Sequence, residues 1–63
     1  MAQTVRFAIE MEDNEAWELA QFVKRAGWDH FRSCAENDDE AYVIRDAVVK
    51  LERALAEAGY APR

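Results

Sequence analysis

His30 and Cys34 are the residues best equipped for chemistry, and four residues apart they share one face of a helix. With Asp29 or Asp38 they would make half of a metal site. A structural zinc site takes four ligands, mainly Cys and His, and this chain has one of each. As a nucleophile and base the pair is equally poor, because both sit in one short segment and nothing indicates an oxyanion hole. The chain has only two glycines, Gly27 and Gly59, both placed to end helices, so no glycine-rich phosphate loop exists. Carboxylates are plentiful, but on a solvated acidic surface they have no reason to carry the shifted pKa of a general acid or base. The expectation is a protein without catalysis, metal or cofactor. The Cys–His pair reads as a buried thiol beside a partly exposed imidazole.

The carboxylates carry more information as a surface. The formal charge is −5, and it is unevenly placed. Residues 10–40 hold ten acids against Lys24, Arg25 and Arg32, a balance of −7, while the segments on either side are each +1. Phosphate contacts need a cationic surface, so direct nucleic-acid binding is disfavoured and a basic partner favoured. Glu12, Asp13 and Glu15 open one helical pattern; Asp38, Asp39 and Glu40 open another. Acids there stabilise the helix dipole by roughly 0.3–1 kcal/mol each. Capping does not require Glu10, Glu18, Asp29 and Glu36 as well. Surplus charge keeps a small protein soluble; it can also imitate duplex DNA, which shows one charge per about 1.7 Å of axis. On the second reading Glu10, Glu12, Asp13, Glu15, Glu18, Asp38, Asp39 and Glu40 supply charge, and Trp17 and Tyr42 add apolar anchors.

The elements that must position these residues follow from periodicity. Thr4 to Met11 alternates, with Val5, Phe7, Ile9 and Met11 on one side and Thr4, Arg6, Ala8 and Glu10 on the other, the period of a half-buried strand. Glu12-Asp13-Asn14 supplies turn and cap chemistry for a helix over 14–26 that stops at Gly27. Trp28, Phe31 and Cys34 or Ala35 recur at helical spacing and predict one or two turns, capped by Asp29. Asn37, with Glu40 three residues on, starts a last helix that ends near Ala58 and Gly59, leaving the tail 60–63.

The predicted fold class is therefore α+β, mostly helical, in the order β-α-α-α with one N-terminal strand. That strand has no second strand in its own chain. Pairing across a homodimer would satisfy its backbone; alternatively, residues 1–12 form two short strands or pack as an extended segment on the helices.

Helical spacing assigns Ala16, Leu19, Phe22, Val23 and Ala26 to one apolar face of the first helix, with Trp17 opposite. Trp17 either is a binding hot spot or packs under the N-terminal segment or the tail. In the last helix a broad stripe from Val43 and Ile44 through Leu51 to Ala58 reads as core. Tyr42, Val49 and Ala56 make a second, narrow stripe, which either seats a partner or is crossed by the second helix.

The bulk numbers set the frame. Sixty-three residues, 51% of them apolar, make one domain spanning 1–63 near the lower size limit for independent folding. A single cysteine excludes an internal disulfide framework and fits a reducing, cytoplasmic setting. No apolar run of about 18 residues spans a membrane, and neither a signal peptide nor a lipidation signal is visible.

In size, acidity and layout, carried by Glu10–Glu18 and Asp29–Glu40, the chain resembles the small acidic anti-CRISPR proteins of phages and mobile elements. That resemblance implies a non-enzymatic inhibitor, a DNA mimic that occupies the basic channel of a CRISPR effector. The order Thr4–Met11, helix, Gly27, helix also resembles the ribbon-helix-helix repressors and antitoxins, which dimerise through their N-terminal strands. It implies DNA reading by Thr4, Arg6, Ala8 and Glu10, of which only Arg6 is basic.

Overall fold

Asn37 starts the longest element, and it does so with its side chain. Its carboxamide oxygen accepts a hydrogen bond from the Glu40 amide at 2.9 Å, satisfying one of the orphan donors of a helix start. The Glu40 carboxylate reaches one residue further back than a standard capping box and accepts from the Glu36 amide at 3.1 Å. In the computed structural model, which describes residues 3–62, the helix that follows runs Asp38–Glu57. It ends at Ala58, and Gly59 takes φ +102°, a left-handed conformation open to glycine and costly for other residues.

Two shorter helices precede it, so that α1 (Asp13–Arg25), α2 (Trp28–Ser33) and α3 (Asp38–Glu57) are the regular elements. The predicted helices are therefore present, with starts and ends within about two residues. Within the expected Glu12-Asp13-Asn14 turn it is Glu12 that caps α1, and its own amide donates to the Glu15 carboxylate at 2.9 Å. Gly27 precedes α2 where Asp29 was expected. The α2–α3 corner is fastened by Arg32, whose Nε donates to Asp38 at 2.8 Å and whose Nη1 donates to the Ala35 carbonyl at 3.0 Å.

Both short helices pack on α3. The contacts are made largely by small residues: Ala41 is wholly buried and Ala20 nearly so, which lets the helix backbones approach closely. Ala20 and Val23 of α1 meet Leu55 of α3, and Leu19, Val48 and Tyr60 pack around them. Phe31 is the buried residue of α2. Among the described residues no large side chain is fully buried.

The N-terminal strand is the expectation that fails. The described residues contain three helices and no strand or sheet, so the fold is all-helical, not α+β. Residues 3–11 have no regular structure and take no part in the backbone hydrogen bonds outside the helices. Alternation suggested two faces, but a strand exists only through a ladder, and among the described residues nothing offers one. The result is an N-terminal arm whose apolar side stays open to solvent.

The predicted core faces are also narrower than expected. Phe22, assigned to the core of α1, is 65% exposed, while Ala20, not assigned, is buried. On α3 only Ala41 and Leu55 are buried; Ile44 and Val48 are half-buried, and Val43, Ala47, Leu51, Ala54 and Ala58 are exposed. Helix α3 is thus longer than its two partners can cover. Met1, Ala2 and Arg63 lie outside the described residues.

Candidate functional site

The ten residues proposed as a partner surface fall into three places. Glu10 is on the arm; Glu12, Asp13, Glu15, Trp17 and Glu18 are at the start of α1; Asp38, Asp39, Glu40 and Tyr42 are at the start of α3. All ten are exposed. Four of the eight carboxylates have structural work. Asp13 accepts from the Tyr60 hydroxyl at 2.6 Å, and Asp38 pairs with Arg32. Glu15 and Glu40 accept backbone amides at helix starts. Glu10, Glu12, Glu18 and Asp39 have no side-chain hydrogen bond or ion pair among the described residues.

The two proposed aromatic anchors are each half of an aromatic pair. Trp17 meets Tyr60 of the tail edge-on, with ring centroids 5.0 Å apart and planes at 71°. Tyr60 therefore touches α1 twice, through this contact and through Asp13. The hydrogen bond to Asp13, then desolvation of the phenol and the negative charge of Asp13, raise the Tyr60 pKa above the ordinary phenol value. Tyr42 packs on Trp28 with centroids 4.7 Å apart, and the Arg45 guanidinium lies 5.0 Å over its ring. Helix α2 thus crosses the Tyr42 end of the narrow stripe, and the tail covers one side of Trp17. Both rings keep roughly half their surface in water.

The His30–Cys34 pair does not converge. His30 Nδ1 accepts from the Gly27 amide at 3.0 Å, which commits that nitrogen to closing the α1–α2 corner. Cys34 is an exposed free thiol at the end of α2, not the buried one expected. Among the described residues no three His, Cys, Asp or Glu side chains gather as ligands.

The chain belongs to a family of unknown function, DUF7706. That family's model matches residues 1–63, the whole chain. No curated protein and no solved structure matches it.

A second surface, which the spacing of single helices does not reveal, is larger. The arm and α3 form the walls of an open groove of about 950 Å³, with Leu19 and Leu55 at its base. Val5, Phe7 and Ile9, at 79%, 76% and 65% exposure, stand on one side, and Ala47, Leu51 and Ala54 on the other. The alternation of residues 4–11 was the available signal. It picked out the apolar residues that line the groove, but it read them as one face of a strand, whereas Arg6 and Glu10, assigned to the other face, line the same groove. No helix among the described residues is long and apolar enough to cross a membrane.

Proposed function

We propose that this protein is a non-enzymatic binding protein that docks its acidic helix starts on a basic protein surface. The site it occupies is the nucleic-acid-binding site of a larger complex, for which a CRISPR effector is the model set by its resemblance to acidic inhibitors. The observation that carries the reading is the lack of internal compensation. Thirteen acids face eight bases, yet only two ion pairs form among the described residues, Arg32–Asp38 and Arg45–Asp46. Glu18 and Asp39 illustrate the remainder: exposed, and without a side-chain hydrogen bond or ion pair among the described residues. Charge placed this way speeds encounter with a cationic surface and sets which surfaces are rejected. Phe22, on the exposed side of α1 one turn from Glu18, adds the apolar contact that phosphate lacks. The setting is the cytoplasm, where an exposed thiol such as Cys34 stays reduced.

Glu18→Lys with Asp39→Lys tests this directly, because neither side chain makes a hydrogen bond or ion pair among the described residues. Asp39 lies in the first turn of α3, where a lysine also opposes the helix dipole, so helix content by circular dichroism is matched to wild type first. The wild-type protein is used to capture its complex from host extract, and duplex DNA is then added. DNA should displace the protein, and the double variant should capture the complex at least tenfold less well, a loss of about 1.4 kcal/mol. Capture unaffected by both DNA and the charge reversal would sink the reading.

A further inference from the structure

The open groove calls for an occupant, and the dimensions of the chain show how much surface that occupant must cover. A folded monomer of 7.3 kDa should expose about 4,200 Å². This chain exposes 5617 Å², roughly 1,400 Å² more. Its radius of gyration is 12.8 Å, where a compact chain of this length would have about 10.6 Å. A standard stable interface buries about 800 Å² on each partner. The surplus is that of a subunit, not of a self-sufficient monomer.

We propose that the occupant is the α3 helix of a second copy, lying antiparallel against α3 and clasped by the arm. Ala47, Leu51, Ala54 and Ala58 are spaced four, three and four residues apart, which aligns them in one seam along the exposed side of α3. An antiparallel two-fold near residue 53 sets Leu51 against Ala54 of the second copy and Ala47 against Ala58. Large then meets small at the centre, and alanines let the ends approach. The charges agree with this register. Lys50 and Glu57, seven apart and both exposed, flank the seam on its outer side. The two-fold brings Lys50 of each chain to Glu57 of the other, giving two identical ion pairs. A parallel arrangement of the same seam would set Lys50 against Leu55 and leave both charges unmatched. On the opposite flank Val5, Phe7 and Ile9 close over the inserted helix, which covers Val5 and Phe7, the two most exposed large apolar side chains among the described residues. Each subunit gives one helix and one arm, so the contact is isologous and closes at two copies.

Sedimentation equilibrium over a roughly hundredfold dilution series tests the assignment. The expected mass is twice 7.3 kDa at the concentrated end. Leu51→Glu places a carboxylate in the seam and should give the monomer mass, with helix content by circular dichroism showing whether the chain still folds. Lys50→Glu leaves the seam apolar and should raise the dimer dissociation constant roughly fivefold to tenfold. Adding Glu57→Lys to it should restore wild-type affinity to within about twofold, which loss of folding could not produce. A monomer mass throughout the series, a dimer indifferent to Leu51→Glu, or a swap that fails to restore affinity would each overturn the proposal. Glu18→Lys with Asp39→Lys should leave the mass unchanged, so this outcome and that of the acidic-surface experiment stand apart.

Discussion

Tyr60 ties the tail to α1, and its chemistry can be followed by titration. Its hydroxyl donates to Asp13 across 47 residues of chain, and the raised pKa means that the neutral phenol is the bound form. A group whose folded pKa lies above its unfolded value adds stability that is complete below the unfolded pKa. That stability is lost as pH rises through the folded pKa. In tyrosinate absorbance one of the two tyrosines should therefore titrate late. Asp13→Asn should move that transition back toward the ordinary phenol value, and Tyr60→Phe should abolish it. An unchanged late transition in Asp13→Asn would mean that the tail is not docked in this way. Nothing in the sequence ties Tyr60 to Asp13. Tyr60 reads locally as a tail residue after a helix stop, and only the return of α3 alongside α1 brings the two together. By contrast the alternatives for Trp17 included packing under the tail, because an outward tryptophan rarely stays fully in water.

At the scale of elements, local chemistry decides most of what is seen. Asn37 caps α3 as its type predicts, Gly59 closes it, and Gly27 separates α1 from α2. Asn37→Ala should cost about 1 kcal/mol, lowering the melting temperature by roughly 4–8 °C, with the fold retained. Thermal melts followed by circular dichroism provide the check, and a shift within error would show that the cap does not limit stability. Faces of helices were less legible than their ends. Helical spacing says which residues share a side, but the width of the buried stripe depends on how many neighbours arrive. Phe22 and Val43 satisfy the period and are still exposed, because α3 has only α1 and a six-residue α2 to pack against. Ala20 and Ala41 are the converse: small residues that spacing alone undervalues, buried because two backbones meet there.

For the whole molecule, the core is too small for the surface around it. Among the described residues six are buried, three of them alanines, in a chain near the lower size limit for folding. Stability should then depend on association. If the second copy supplies the missing burial, the melting temperature rises with protein concentration, as mass action requires for a dimer that unfolds to monomers. A concentration-independent melting temperature would show that the six-residue core suffices by itself. The acidic surface enters at the same scale, since a net charge of −5 opposes association at long range. Added salt should screen that repulsion and favour the apolar contact. For a basic partner held at the acidic helix starts, salt should act in the opposite sense.

The sequence by itself determined the three helices, their ends to within about two residues, the concentration of negative charge between residues 10 and 40, and the apolar content of residues 4–11. These are properties of neighbours in the chain: cap geometry, the 3.6 and 2 periods, and formal charge. Tertiary structure decided which carboxylates are spent on caps and pairs, which aromatics meet, and which apolar residues find cover. It also decided that the N-terminal segment is no strand. A strand is a relation between two backbones, and among the described residues no second one lies alongside the arm; that is why the arm and the long helix beside it are left facing an open groove.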